Sequence, residues 1–240
     1  MKIKLRKYRT AIFSALAVMA SAAMIHYAMG QIDSAVYTNT AESDPNARVI
    51  VLDSGHGGMD GGCSTADGVT EKGINLSIML SVRDMCRLYG FDTAVTRDRD
   101  ISIHDSGTTG IRNQKVSDME NRLELFNKFP NAVCLSVHQN TYTDPKYSGA
   151  QMFYSPANAD SERFASILQN LFVKNLQPDN MRETKLCGKE LYLCYYCNNP
   201  AVMAECGFLS NAEEEAKLAS PDYQKAMAAV IAAAVGTKLG

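Results

Sequence analysis

The sequence contains no tryptophan, and aromatic residues make up only 8% of the chain. This shortage argues against an exposed surface of stacked rings for sugars or single-stranded nucleic acid. Basic residues are outnumbered outside the first nine positions, because five of the 24 Lys and Arg residues lie in that segment and the 19 that remain face 26 Asp and Glu residues. An acidic body offers no positive surface for a phosphate backbone. We therefore exclude nucleic-acid binding.

Several common active-site motifs are absent as well. The glycine-rich segment GHGGMDGG does not fit GxGxxG, and no Lys followed by Ser or Thr completes a P-loop. The sequence also lacks HExxH, the helical two-histidine motif of many zinc peptidases. Internal repeats and low-complexity tracts are missing too. Any metal site must therefore be assembled from residues that lie far apart in the sequence.

The first 30 residues differ in composition from the rest of the chain. A basic segment precedes an apolar run from Ala11 to about Ile25, which is typical of a secretory signal or a short membrane anchor. We predict such a leader for residues 1–30, a polar linker for 31–47 and one folded domain for 48–240. Because a basic flank stays on the cytoplasmic side, we expect the domain to be exported.

Strand and helix patterns alternate through the predicted domain. Apolar, β-branched runs predict strands, and apolar residues three or four positions apart predict helices between them. Most predicted strands are apolar on both faces, as in a sheet that is covered on both sides. We predict an α/β fold with a central, mostly parallel or mixed sheet of about six strands flanked by helices. The predicted strands are 49–52, 91–96, 132–137, 149–154, 191–196 and 201–204, and the predicted helices are 71–89, 117–129, 161–176, 212–219 and 221–235.

Three predicted strands lead directly into residues that bind metals or transfer protons. His56, His138 and Glu205 each follow a strand, and Glu71 begins the helix after the first one. Ligands of open α/β sheets collect beyond the carboxyl ends of the strands, so we expect these side chains to meet. Two imidazoles and one carboxylate form a three-ligand zinc set with a fourth position for water. The spacing does not decide which glutamate is the ligand and which is the general base.

Seven cysteines complicate the prediction of an exported protein, since an odd number leaves at least one thiol unpaired. Cys194 and Cys197, with Cys187 before and Cys206 after them, are spaced like a zinc knuckle or a redox pair. In the predicted strand, however, residues three apart face opposite sides, and no second CxxC completes a four-thiolate set. We interpret these cysteines as core residues, and a local metal or redox role stays open.

Six segments of the domain carry a resemblance to a known family: LDSGHGGMDGG, TEKGINL, TRDRD, LSVHQN, SGAQMFYSP and PAVMAECGFLSN. In order and spacing they resemble the zinc-dependent N-acetylmuramoyl-L-alanine amidases. The resemblance implies cleavage of the amide between the lactyl group of N-acetylmuramic acid and the first L-alanine of the peptidoglycan stem peptide. It also implies that His56, Glu71 and His138 bind Zn²⁺ and that Glu205 is the catalytic acid and base.

Within that family, the short leader, the segment KVSDMENRLELFN and the lack of a wall-binding repeat resemble the germination-specific spore-cortex amidases. This resemblance implies a role in cortex maturation, where muramic-δ-lactam is formed together with a deacetylase, and in germination. Peptidoglycan of the cortex or the vegetative wall is the expected substrate. The expected location is the outer face of the membrane, the forespore intermembrane space or the cell wall. We also expect an accessory protein partner, and membrane attachment if the leader is not cleaved.

Other functions stay open at this point. A zinc peptidase acting within the stem peptide would use the same kind of site, and a non-catalytic amidase-like protein would bind wall fragments or another protein. The complete set of His56, Glu71, His138 and Glu205 favours an enzyme. Asn140, two residues after the second histidine, is a candidate substrate-binding residue.

Overall fold

The computed structural model describes residues 49–65 and 67–239. The predicted leader and linker, residues 1–47, lie outside the described residues. In the described part, the strands are β1 (Val49–Ser54), β2 (Asp92–Val95), β3 (Val133–Asn140), β4 (Gln151–Tyr154), β5 (Lys185–Leu186) and β6 (Ala201–Phe208). The helices are α1 (Glu71–Leu88), α2 (Ile111–Lys128), α3 (Asp160–Asn175), α4 (Tyr192–Tyr196), α5 (Ala212–Leu218) and α6 (Pro221–Leu239).

The six strands form one mixed sheet in the order β2-β1-β3-β6-β4-β5. The pairs β1–β2, β1–β3, β3–β6 and β4–β5 are parallel, and β4 pairs with β6 in the antiparallel sense. This confirms the predicted α/β fold with a mixed sheet of six strands. Because β1, β3 and β6 are parallel neighbours, their carboxyl ends meet at one edge of the sheet.

The two faces of the sheet are covered differently. One face, which we call the closed face, packs against α1, α3 and α6 and takes Leu52, Leu135 and Val202 from the central strands. The other face packs against α2 and α4 around a smaller apolar cluster that includes Cys134 and Met203. We call it the open face. Among the described residues, no helix is both long and apolar enough to cross a bilayer.

The strand predicted for residues 191–196 is wrong, because this segment forms the short helix α4. As a helix it buries Leu193 and Cys194 on the open face, and the rings of Tyr192 and Tyr196, four residues apart, lie 4.9 Å from each other. The sixth strand is the two-residue β5 instead. Helix α2 also begins at Ile111, six residues before its predicted start.

Candidate metal centre

His56, Glu71 and His138 come together at the carboxyl ends of β1 and β3. Their ligand atoms all lie within 4.8 Å of one another. Glu71 Oε1 is 3.2 Å from His56 Nε2 and 3.0 Å from His138 Nδ1. One ion with ligand bonds of about 2 Å can join atoms at these separations. Two imidazole nitrogens and one carboxylate oxygen also form a donor set that suits Zn²⁺, so the residues fit the predicted metal.

The loop that carries His56 can approach the other two residues only because glycines stand beside it. His56 itself has a positive φ of 63°, in the left-handed region that non-glycine residues rarely adopt. A Cβ added at Gly55 would overlap the His138 ring, and one added at Gly62 would overlap the Glu71 carboxylate. The glycine-rich sequence therefore has a direct purpose, which is to let three polar side chains converge without steric conflict.

Asp60 fixes the orientation of the His56 ring. Its Oδ2 lies 2.9 Å from His56 Nδ1, and its Oδ1 lies 2.9 Å from Lys115 Nζ on α2. With Nδ1 bonded to Asp60, Nε2 faces Glu71. Burial lowers the pKa of His56, but hydrogen bonds and negative charge from Glu71 and Asp60 outweigh it and raise that pKa to about 9. The imidazole is thus supported on both sides by carboxylates.

Glu71 is buried at the first position of α1 and makes several hydrogen bonds. Its Oε2 accepts the backbone N–H of Cys63 at 2.9 Å, and its Oε1 accepts that of Gln139 at 3.2 Å. Burial alone would raise the pKa of Glu71. Hydrogen bonds and charge from His138 and His56 instead hold that pKa far below its usual range. Glu71 is therefore ionised and acceptor-rich, as a metal ligand must be.

Glu205 lies beside these three residues but has no hydrogen bond of its own at Oε2. It is directly opposite His138 in the pairing of β3 with β6. Its Oε2 is buried and has no hydrogen-bond partner among the described residues. Burial raises the pKa of Glu205 to about 7, with Glu71 adding to the rise and the two histidines opposing it. A carboxylate with such a pKa is suited to accept and return a proton near neutral pH.

Two buried arginines hold the backbone of the ligand loop. Arg122 donates to Asp53 Oδ1 at 2.6 Å and to the carbonyls of Ser54 and His56 at 2.8 Å. Arg97 donates to the carbonyls of residues 54 and 55 at 3.0 Å. These bonds satisfy backbone carbonyls at the end of β1 and in the loop that follows it. Neither arginine was predicted from the sequence to have a role at the site.

The remaining candidates have different outcomes. Asn140 ends β3, and its side-chain Oδ1 accepts the N–H of Thr141, so its role in substrate binding stays a prediction.

All seven cysteines are free thiols. The only group of three or more metal-binding side chains in residues 49–65 and 67–239 is the one formed by His56, Glu71 and His138. The described structure thus offers no four-thiolate site. The side chains of both histidines stay partly exposed, at 25% and 16%.

Comparisons with known proteins agree with this geometry. A profile of the N-acetylmuramoyl-L-alanine amidases matches residues 50–237. The germination-specific N-acetylmuramoyl-L-alanine amidase of Bacillus subtilis (strain 168) is 33% identical over 186 residues, covering 78% of this chain and 77% of that protein. The N-acetylmuramoyl-L-alanine amidase AmiA of Escherichia coli (strain K12) is 26% identical, covering 85% of this chain and 82% of that protein.

A solved structure has the same fold. The CwlD amidase from Clostridioides difficile, in complex with the GerS lipoprotein, superimposes with a TM-score of 0.76 at 32% sequence identity. The match covers 80% of this chain and 98% of that chain. It extends over nearly the whole described part, so the sheet and the loops that carry the candidate site belong to one shared architecture.

Proposed function

The chain belongs to the N-acetylmuramoyl-L-alanine amidase family, and we propose that it acts as a zinc-dependent amidase on spore-cortex peptidoglycan. The family assigns the enzyme class and the peptidoglycan substrate. Our proposal adds the metal, the residues that bind it and the type of wall. One observation carries it: three ligand atoms within 4.8 Å of one another, beside a buried carboxylate that lacks a partner at Oε2 among the described residues.

His56, Glu71 and His138 would hold the zinc ion. When bound, zinc would act as a Lewis acid that lowers the pKa of a bound water to about 7 and polarises the amide carbonyl. Glu205 then accepts a proton from the attacking water as the water oxygen bonds to the lactyl carbonyl carbon. The same carboxyl group returns the proton to the nitrogen of L-alanine as the C–N bond breaks. The products are a lactyl carboxylic acid and a stem peptide with a free amino group.

The relatives support a role in the spore cortex and an accessory partner. The Bacillus subtilis relative is named as germination-specific, and the Clostridioides difficile amidase was solved together with a lipoprotein. We extend both features to this chain, with muramic-δ-lactam formation as the expected result of its action together with a deacetylase. Residues 1–30 would serve as its leader or anchor and residues 31–47 as a linker, which places residues 48–240 outside the cytoplasm. Asn140 would contact the substrate beside the second histidine.

Mass spectrometry of digested peptidoglycan tests this proposal. Zinc-loaded full chain is incubated with purified cortex and with vegetative wall, and the soluble products are identified. We expect stem peptides that begin with a free L-alanine, released faster from cortex, and none from the matched Glu205→Gln variant. Fragments cut within the stem peptide would indicate a peptidase instead. Wall binding without any release would indicate a non-catalytic protein, and faster release from vegetative wall would contradict the cortex role.

A further inference from the structure

A row of polar side chains crosses three neighbouring strands on the open face. His138 on β3 is directly opposite Glu205 on β6, and Glu205 is directly opposite Gln151 on β4. Residues opposite each other on neighbouring strands place their side chains on the same face of the sheet. Strands lie about 4.8 Å apart, so the backbone of Gln151 is about 5 Å from that of Glu205 and about 10 Å from that of His138. The row thus leads away from the metal centre in one direction.

Arg182 extends this row by one more side chain. Its Nη1 donates to Gln151 Oε1 at 3.2 Å, and its Nε donates to the carbonyl of Ser148 at 2.7 Å. Its guanidinium carbon lies 4.6 Å from the centre of the Phe208 ring and 5.8 Å from that of Tyr147. Two hydrogen bonds and two rings hold the guanidinium in one orientation, so little freedom remains to be lost when an anion binds.

In the described part of the chain, the ion pairs between arginine and Asp or Glu do not include Arg182. Arg122, by contrast, is paired with both Asp53 and Asp118. The carboxylate of Glu214, near Phe208, already accepts two backbone N–H groups. A guanidinium has five N–H donors, and the described structure gives acceptors to only two of those of Arg182.

The substrate class of the proposed reaction supplies a suitable anion. The lactyl carboxyl group is the acyl half of the scissile amide, so it offers no free carboxylate, whereas the stem peptide carries free carboxylates along its length. An extended peptide advances about 3.3–3.6 Å per residue, and the backbone of Gln151 lies about 5 Å from that of Glu205. Because Arg182 bonds to the Gln151 side chain, it is within reach of the second or third residue after the cleaved bond. Arginine binds carboxylates through two parallel hydrogen bonds.

We propose that Arg182, positioned by Gln151, binds a free carboxylate on the second or third residue of the stem peptide. This inference rests on the proposed amidase function and deepens it, because it states which part of the substrate is recognised beyond the bond that is cut. Arg182 contacts the substrate in this scheme, and Gln151 acts only through Arg182. The contrasting explanation is structural: Arg182 would merely tie β4 to the segment before β5.

Two soluble muropeptides distinguish the explanations. They are identical except that one has free carboxylates on the second and third residues and the other has carboxamides there. For the zinc-loaded full chain, we expect kcat/KM to be roughly ten- to hundredfold higher on the carboxylate form, as for a hydrogen-bonded ion pair at a partly buried site. Equal rates on the two substrates would overturn the inference without the use of any variant.

Variants then assign the preference to Arg182. Arg182→Met should remove it, lowering kcat/KM on the carboxylate form and leaving that on the carboxamide form nearly unchanged. Gln151→Leu should reduce the preference in part. The matched control is Lys146→Met, because Lys146 also lies near the Tyr147 ring, at 5.6 Å, but is paired with Asp144. The control should keep the wild-type preference.

The remaining outcomes separate the two proposals. If Arg182→Met lowers both rates equally, or if the control loses the preference as well, Arg182 is a structural residue and the inference fails. Arg182→Lys, which retains the charge, should keep part of the preference and guards against a variant that does not fold. If the wild type cleaves neither muropeptide, the amidase proposal fails. In that case, calorimetry with the free stem peptide and with its carboxamide form tests carboxylate binding independently of cleavage. Equal affinities for the two peptides would overturn the inference about Arg182.

Discussion

The closed and open faces of the sheet are built from alternate residues of the same strands, yet they serve different purposes. Among the described residues, the cluster on the closed face contains 28 buried hydrophobic residues and that on the open face 12. The closed face is covered by three long helices, whereas the open face is covered by one long helix, α2, and by α4, which has only five residues. The larger apolar cluster is therefore the main source of hydrophobic stability.

On the open face, several strand positions carry polar side chains instead of apolar ones. Asp53 and Ser136 bond to each other on it, and His138, Glu205 and Gln151 follow on the neighbouring strands. A strand that alternates strictly can be apolar on one side and reactive on the other without any change in its hydrogen bonding. Most of the hydrophobic stability thus comes from the closed face, whereas His138, Glu205 and Gln151 lie on the open face. Substitutions on the two faces should therefore have different consequences.

The largest expected effect is at Glu205 on the open face. Glu205→Gln should lower turnover by roughly 10²- to 10⁴-fold, because the proposed general base is lost. Zinc content and the free energy of unfolding should stay close to the wild type, since the pKa of Glu205 is raised and a neutral amide fits the same buried position. Metal analysis, urea denaturation and muropeptide kinetics measure the three quantities. The paired variant Glu71→Gln should lose zinc, and if the Glu205 variant loses it instead, the two roles must be exchanged.

On the closed face, Phe164→Ala should act on stability alone. The side chain is fully buried, and its truncation should lower the free energy of unfolding by about 3–5 kcal/mol. Zinc affinity, measured by chelator competition below the unfolding transition, should not change. A marked loss of affinity in a variant that is still folded would show that the two faces are not independent.

Arg122 is expected to connect the two properties. Arg122→Met removes a buried ion pair with Asp53 and a hydrogen bond to the carbonyl of His56. The cost should be about 3–5 kcal/mol, because the partner carboxylate is left buried without its cation. Unlike Phe164→Ala, this variant should also bind zinc more weakly. The matched control is Arg83→Met, whose ion pair with the exposed Asp84 should contribute at most about 1 kcal/mol.

Acid should weaken the same ion pair. Burial opposes ionisation of Asp53, but Arg122 and hydrogen bonds from Ser136 and Thr96 hold the pKa of Asp53 below its usual value of 3.8. A carboxylate with a lowered pKa stabilises the fold above that usual value, and the stabilisation is lost as the pH falls below it. Asp53→Asn should therefore be less stable than the wild type at neutral pH and lose less stability on acidification. Urea denaturation at several pH values measures both proteins. An equal loss of unfolding free energy on acidification in the two would contradict this expectation.

The smallest effects are expected at the buried cysteines. Cys194→Ala should lower the free energy of unfolding by about 1 kcal/mol, as for the loss of a small buried group. Zinc should remain at one ion per chain, because no four-thiolate site is present in the described residues. Atomic absorption on the purified variant checks the stoichiometry. A second ion in the wild type that is lost in this variant would restore the metal role for these thiols.

The sequence predicted the parts that depend on local pattern. The apolar runs of β1, β3 and β6 identified the central strands, and the residues that follow them identified His56, His138 and Glu205 as neighbours. The strand prediction for residues 191–196 was wrong because six residues rich in Leu and Tyr fit a buried strand and a short amphipathic helix equally well. Packing against α2 favours the helix, and the local sequence pattern carries no information about that packing.

Residues that act through distant partners were also missed. Asp60 and Arg97 lie within segments that were used for the family resemblance, GMDGG and TRDRD, so a signal was present without a role attached to it. Arg122 likewise lies in KVSDMENRLELFN, whereas Arg182 had no local signal. From the sequence alone, an arginine on a helix or in a loop is expected to be a solvated charge. Only the fold shows that Asp53 lies beside Arg122 and Gln151 beside Arg182.

The support given by Arg97 and Arg122 to the backbone of residues 54–56 limits what can be done with the histidine loop by itself. A short peptide with the sequence DSGHGG, or the same six residues grafted onto an unrelated scaffold, would keep the imidazole but lose the donors that shape the chain around it. Engineering of this centre must therefore transfer Arg122 of α2 and Arg97 of the segment after β2 together with the loop. The ability to hold a metal belongs to the assembled sheet edge and not to the motif.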